Sequence, residues 1–355
     1  MDAGETDFLT GVNACSRKSH AGALLERQGF YWSWILAALL AVSFLISLLV
    51  GSSALSPQRL FGALFLGQDE MVKLVFWEIR FPRALLAAFV GFGLGLTGAV
   101  MQGYMRNPLA DPGVLGVSTG AAMGAVITFY FGFANLFALA LPIGGILGGF
   151  VVIAMVIFMA GKEASVQTLI LAGIAFSSLA SAVISLVLNL SPNPHAALDI
   201  MFWLMGSLND RSLQHIWLTL PLMLPGWILL LMSARALRAL SLGEETAASM
   251  GFSIRKVKRM IVLGSSLAVG PAIAVTGSIG FVGLIVPHVM RPLVGNDPAR
   301  LLWVSGLAGA ILLTWSDLAV RLISGSVELK LGVITALIGA PFFFYLLIKT
   351  RKEEI

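Results

Sequence analysis

"WEIRFPRALLAAFVGFGLGLTGAVMQGYMRNPLADPGVLGVSTGAAMG", residues 77–124, contains an apolar run from 84 to 103, a short polar loop, and a second apolar run that starts at 113. A helix needs about 20 predominantly apolar residues to cross ~30 Å of hydrocarbon, and the first run has that length. Two prolines in "RNPLADPG" (106–113) exclude a continuing helix, Asn107 before Pro108 favours a turn, and Gly113 lets the chain re-enter the apolar phase. The stretch reads as two membrane spans joined by a tight loop.

The same pattern fills the chain. Further apolar runs lie at 33–54, 135–160, 168–190, 215–233, 260–277, 278–290, 301–320 and 331–348, with 113–133 as the third. The 355 residues are 58% hydrophobic and 12% charged, whereas soluble domains are charged at about a quarter of their positions. The mean hydropathy is +0.92. An all-α polytopic membrane protein of about ten spans is expected. The eighth span is short, interrupted by Gly277, Gly280 and Pro287, so either a broken helix or one continuing into the polar ends is expected there.

No A-x-A-like cleavage site follows the first run, so it reads as a retained span behind a polar leader. The division is then a leader over 1–32, one transmembrane domain over 33–350 and a tail over 351–355. An even number of spans puts both termini on one side. Placing them in the cytoplasm leaves only Arg59, Lys73, Arg80, Arg83, Arg211, Arg321 and Lys330 outside, out of 23 Lys and Arg. The positive-inside rule favours that orientation.

Composition also excludes functions. The net charge of +5 is spread over loops that flank spans, which argues against nucleic-acid binding. The single Cys15 rules out an intramolecular disulfide or a cysteine metal cluster. His20, His195, His215 and His288 have no paired ligand spacing, so no metal site is expected. There is no G-x-x-x-x-G-K-[ST] phosphate loop; "AGKEAS" (160–165) lacks the upstream glycine and the hydroxyl after the lysine. No catalytic residue is assigned. The span interiors are almost uncharged, so an ion-driven mechanism has little to work with. Asp317 is the one candidate, and Arg321 four residues on favours an i, i+4 pair over a proton relay. The chain describes a pathway whose energy comes from a partner.

One polar block interrupts the apolar pattern well inside the chain: "GEETAASMGFSIRKVKR" (243–259), in a loop over 234–259. It reads as a turn at Gly243, a short helix from Glu244 to Met250, a break at Gly251 suited to a C-cap, and a basic segment. Small Ala247 and Ala248 allow another protein to approach closely. On periodicity alone, an ordinary juxtamembrane loop is the alternative.

"LGEETAASMGF" (242–252) resembles the cytoplasmic coupling loop of the FecCD-type permeases, the membrane subunits of ABC importers for ferric siderophores, haem and vitamin B12. Residues 77–124, "GSIGFVGLIVPHVMRPLVGNDPARLL" (277–302) and "LGVITALIGAPFFFYLL" (331–347) match in the same order, so the resemblance covers nearly everything after residue 30. It implies a vitamin B12 importer permease-like fold with an inverted repeat. Gly113-Val-Leu-Gly116 and Gly277-Ser-Ile-Gly280 lie at matching points of the two halves and are a sign of that repeat.

The resemblance also implies partners and sites. Two copies pack about a central pathway, two ATPase subunits bind ATP and magnesium, and a periplasmic binding protein delivers substrate; this chain holds no cofactor itself. The ATPase contact falls on Gly243, Glu244, Glu245, Thr246, Ala247, Ala248 and Gly251. Asn107 and Leu109 match positions that narrow the cytoplasmic mouth, and Ser165 and Val166, in "ASVQT" (164–168), are candidates for a second constriction. Arg321 falls on a docking position for the binding protein, with Arg59 and Lys73 as companions. Lys330 departs from the family pattern: "ELKLG" (328–332) stands where many relatives have "ELPVG". The expected cargo is a ferric siderophore first, haem next and a corrinoid third.

Overall fold

The computed structural model describes residues 31–51, 57–65, 69–161, 165–191, 194–323 and 329–353. The leader expected over 1–32 lies outside the described residues apart from its last two, as do Cys15, His20 and tail residues 354–355. Among the described residues every regular element is helical.

Among the described residues, seven helices are long and apolar enough to cross a membrane. They are α1 (Tyr31–Leu49), α3 (Glu70–Met105), α5 (Ala140–Ala160), α6 (Val166–Asn189), α8 (Leu213–Met232), α11 (Ile254–Thr276) and α13 (Pro298–Ile323). Three helices with shorter apolar stretches complete the set: α4 (Val117–Tyr130), α12 (Val282–Met290, extended by a 3-10 turn to Val294) and α14 (Leu331–Glu353, apolar over Leu331–Leu346). These follow the order of the apolar runs. Four helices lie between spans: α2 (Pro57–Phe65), α7 (Pro194–Leu204), α9 (Ala234–Leu240) and α10 (Glu244–Ser249). The apolar runs do not announce α2 and α7, which are too short to register as spans.

Local chemistry explains the irregular points. In α3 the turn Val75–Arg80 widens to a π-helix just before Pro82. Proline has no N–H and its ring crowds the carbonyl four residues back, and a wide turn relieves both problems. The broken eighth span is observed. Gly277 (φ 73°) ends α11, Phe281 (φ 68°) precedes α12, and the intervening residues are not helical. The matching point of the first half has the same build: a 3-10 turn over Pro112–Leu115, then Gly116 (φ 78°) before α4. The first break packs on the start of α12, where a Cβ on Gly283 would sit 2.8 Å from Pro112 Cδ.

Helices α3, α11 and α13 form the centre, with 78–83% of their apolar windows buried, whereas α1 (22%) and α6 (11%) are peripheral. The central contacts are made by glycine. A Cβ on Gly95 of α3 would lie 2.1 Å from Ser305 O of α13, and one on Gly124 of α4 would lie 2.1 Å from Gly144 O of α5. Where lipid is as apolar as the side chains, such close backbone approach is a main source of helix association.

Buried polar groups then fix the register. Gln102 of α3 donates to Gly283 O and Leu284 O, and accepts from Arg291 Nη2 at 2.8 Å. Asp317 of α13 is fully buried and paired with Arg83 of α3 (2.8 Å) and Arg321 (3.0 Å). Arg321 Nη1 also donates to Ser47 O and Val50 O, and Arg80 Nη1 to Leu48 O and Leu49 O. Together these two arginines satisfy carbonyls that α1 leaves without intrahelical partners at its C-terminus.

Candidate functional site

The polar block is a stapled projection. Helix α9 buries Ala236, Leu237, Ala239 and Leu240 against the bundle. Arg238 holds Asp297, just before α13, with Nε–Oδ1 at 3.1 Å and Nη2–Oδ2 at 2.6 Å. This is a bidentate fork, the strongest geometry open to an exposed ion pair. Arg300 meets the same carboxylate at 3.2 Å.

After Gly243 (φ 123°) the chain makes α10 and reverses through Gly251 (φ 89°). Phe252 N–H donates to Ala247 O and Gly251 N–H to Ala248 O, so α10 ends in a Schellman motif whose left-handed residue is the expected glycine. Glu244, Glu245, Thr246, Ala248 and Gly251 are exposed. Ala247 is a correction. Its side chain is 0% exposed and belongs to the protein's own core, so it seats the short helix on the bundle and offers nothing to a partner.

"RNPLADPG" consists of two side-chain-capped turns. Arg106 (φ 48°) ends α3, and Asn107 Oδ1 accepts from Leu109 N–H at 2.9 Å. Asp111 Oδ1 accepts from Gly113 N–H at 2.7 Å. Burial pushes the Asp111 carboxyl above its ordinary pKa, and the Gly113 N–H partly offsets that by favouring the charged form. Asn107 and Leu109 stay exposed. Leu109 lies in a narrow crevice with Phe281, Leu284, Ile285 and Phe342. Ser165 is the N-cap of α6, accepting from Thr168 N–H at 3.2 Å. Val166 lines a different cavity of about 640 Å³, with Tyr104, Arg106 and the Gly243–Thr246 turn. Within one chain, therefore, Leu109 and Val166 are not brought into one crevice.

The docking candidates separate as well. Arg59 on α2 and Lys73 in the first turns of α3 are exposed. Lys330 is half-buried, with Nζ 5.6 Å from the Phe202 ring centroid of α7, a cation–π contact. Arg321 is a correction. Only 8% of its side chain is exposed, because the guanidinium is engaged by Asp317, by the Ser47 and Val50 carbonyls and by Ser47 Oγ. The local i, i+4 pairing with Asp317 is as expected; the partners in α1 and α3 lie far away in sequence, and no local spacing signals them.

One further feature escaped the sequence reading. Ser178, Ser181 and Ser185 are all exposed on α6, spaced i, i+3, i+7 along one face, below exposed Leu171 and Ile174. Serine at that spacing is legible in a helix pattern only once the buried side of the helix is known.

The model of the FecCD transport family matches residues 39–349. Over 340 residues the chain is 38% identical to the uncharacterized ABC transporter permease protein YvrB of Bacillus subtilis (strain 168), covering 92% of this chain and 96% of the relative. It is 34% identical over 327 residues to the vitamin B12 import system permease protein BtuC of Citrobacter koseri, with 92% and 97% covered. It is 37% identical over 284 residues to the hemin transport system permease protein HmuU of Yersinia pestis, with 79% and 85% covered. The fold aligns with a solved structure described as an inward-facing ABC transporter of metal-chelate type, at TM-score 0.80 and 35% identity, covering 89% of this chain and 98% of that one. Matched over most of its length in sequence and in fold, the chain belongs to the FecCD transport family and is a membrane permease subunit of an ABC importer.

Proposed function

We propose that two copies of this chain form the inward pathway for an iron chelate, a ferric siderophore first and haem next, driven by two separate ATPase subunits and fed by a periplasmic binding protein. The relatives named for hemin and vitamin B12 and the metal-chelate transporter support a bulky chelate as cargo, with a corrinoid as the alternative. The observation that carries the pathway reading is the serine stripe of α6. Three hydroxyls on an exposed face of a spanning helix are poorly suited to lipid, and well suited to a water-filled wall between two copies. Ser178 Oγ also donates to Ile174 O at 2.9 Å, which keeps the wall only mildly polar and without a tight binding site for any cargo. With Cys15 replaced, Ser181→Cys is expected to react with a membrane-impermeant thiol reagent in reconstituted transporter, and its modification to block uptake. A cysteine there that stays unreactive in every nucleotide state rules out the aqueous wall.

In this reading both termini are cytoplasmic, and Glu244, Glu245, Thr246, Ala248 and Gly251 meet the ATPase. ATP and magnesium are held by that partner. Asn107, Leu109, Ser165 and Val166 form the cytoplasmic constriction across the two copies, each from its own loop. Arg59, Lys73 and Lys330 face the binding protein. The Arg238–Asp297 fork supports the coupling assignment, because a projection tied to α13 transmits force to the bundle centre. Ala248→Arg adds bulk on the exposed side of α10, so ATP-driven uptake is expected to fall on the order of tenfold while the folded bundle persists. Ala247→Arg should behave differently, loosening α10 from the bundle and lowering thermal stability. Full uptake by Ala248→Arg removes this surface from the coupling contact.

A further inference from the structure

The corner between α4 and α5, residues 131–139, lies at the end of the bundle opposite the α9–α10 projection. Helix α4 starts just after the loop 106–113, whose Arg106 lines a cavity with the Gly243–Thr246 turn, so the far end of α4 is on the other face. The two helices run antiparallel: a Cβ on Gly116 would lie 3.2 Å from Val152 Cγ1, and one on Gly120 would lie 3.0 Å from Gly148 O. At about 1.5 Å per residue the 21 residues of α5 measure about 31 Å, enough to cross the hydrocarbon, whereas the 14 residues of α4 reach only about 21 Å. The register puts the missing length at the start of α4, beside Val152, and brings its end, Tyr130, level with the first residues of α5. The corner therefore stands at the boundary of the hydrocarbon.

Its chemistry suits that depth. Phe131, Phe133, Leu136 and Phe137 are 52–72% exposed, and no Asp, Glu, Lys or Arg occurs between Asp111 and Lys162. Phe131 and Phe133 stack with ring centroids 6.0 Å apart, and Tyr130 meets Phe131 edge-on at 5.3 Å. Phe131, Gly132, Leu136 and Ala140 N–H donate to the carbonyls of Ile127, Phe129, Phe133 and Phe137, so successive turns satisfy backbone groups that lipid could not. The apolar surface continues along α5 through Leu147, Val151, Met155 and Phe158, exposed at i, i+4, i+8 and i+11 on one helix face. A soluble partner that binds and leaves would return four large apolar side chains to water, whereas a leaflet covers them throughout. We infer that the α4–α5 corner is a membrane anchor, with Phe131, Phe133, Leu136 and Phe137 inserted into the boundary between headgroups and acyl chains of the leaflet opposite the α9–α10 projection. Uncharged loops rich in aromatic and leucine side chains partition into that layer. Inserted there, the corner sets the depth of α4, which is too short to set it by its own length.

The test uses the full chain with Cys15→Ser, reconstituted in phosphatidylcholine vesicles with iodide on both sides, and a bimane label on a single new cysteine. Phe133→Cys and Leu136→Cys report on the corner. Asp210→Cys, exposed just before α8 on the same face, reports on water. Labels at 133 and 136 should be quenched by phosphatidylcholine brominated near the headgroup, and should be quenched by iodide on the order of tenfold less than the label at 210. The anchor is overturned if iodide reaches 133 and 136 as well as it reaches 210, which leaves the corner in water for a soluble partner. It is equally overturned if neither quencher reaches them, which means that protein, such as a second copy of the chain, covers the corner. A second measurement needs no label: Phe131→Asp with Phe133→Asp should accumulate in the membrane several-fold less than Phe131→Trp with Phe133→Trp, which keeps rings at the boundary. Equal accumulation of the two double variants also removes the anchor.

Discussion

Asp317→Ala is expected to abolish the stable folded permease. The carboxylate is fully buried and receives Arg83 through Nε and Nη2 at 2.8 Å and Arg321 through Nε at 3.0 Å. Removing it leaves two guanidiniums facing each other with no counter-charge, and breaking a buried pair on one side costs about 3–5 kcal/mol. That is a large part of the stability of an ordinary domain. Detergent-solubilised Asp317→Ala protein should therefore unfold at a much lower temperature and accumulate poorly in the membrane. Adding Arg83→Gln to Asp317→Asn should recover part of the loss, since it removes one of the stranded charges. An Asp317→Ala protein with unchanged thermal stability would mean that the cluster is solvated and contributes little.

Gly95→Val is the second severe change. Its first added carbon would lie 2.1 Å from Ser305 O and 3.2 Å from Gly309 Cα, and both obstacles are backbone. A flexible side chain can swing aside, whereas the axis of α13 has to move bodily, taking Asp317 and its arginines with it. Overpacking costs about 1–3 kcal/mol where side chains can adjust, so about 3 kcal/mol or more is expected here. Gly103, on the same helix, is the internal comparison: a Cβ there meets only Leu237 methyl carbons at 3.7–3.9 Å. Gly103→Ala should be tolerated and gain up to about 1 kcal/mol in helix propensity. Equal thermal stability of Gly95→Val and Gly103→Ala would remove the close α3–α13 contact from the account.

The same physics explains what the sequence discloses and what it hides. Spans are legible because membrane insertion is decided by local hydropathy over a window the length of the helix, and the break at Gly277–Phe281 is legible because glycine acts locally, whereas Pro287 sits inside α12 and marks no break. The Schellman turn at Gly251 is legible for that reason too. Helix α10 has only six residues, less than two turns, so its pattern cannot reveal that Ala247 points inward while Ala248 points out. Arg321 shows the other limit. Its neighbour Asp317 is visible at i, i+4, but its other partners, Ser47 and Val50, lie at the end of α1, and a lone arginine beyond a span looks the same whether it faces a partner protein or the core. The Arg238–Asp297 fork, 59 residues apart, is hidden likewise.

The arginine-capped end of α1 also sets an order of events during synthesis. Arg80 reaches the ribosome only 32 residues after Leu48, whereas Arg321 follows Ser47 by 274. Half of the cap is thus available as soon as α3 enters the membrane, and the other half only after α13 has been made. Trp315, which donates to Ser43 Oγ of α1 at 2.9 Å, arrives equally late. Chains are made from the N-terminus, so the first helix to be inserted is among the last to be fastened. With only 22% of its apolar window buried, α1 stays beside the growing bundle through the Arg80 bonds and the packing of Phe44 and Leu48 on α2 and the start of α3, until the ninth span closes over it.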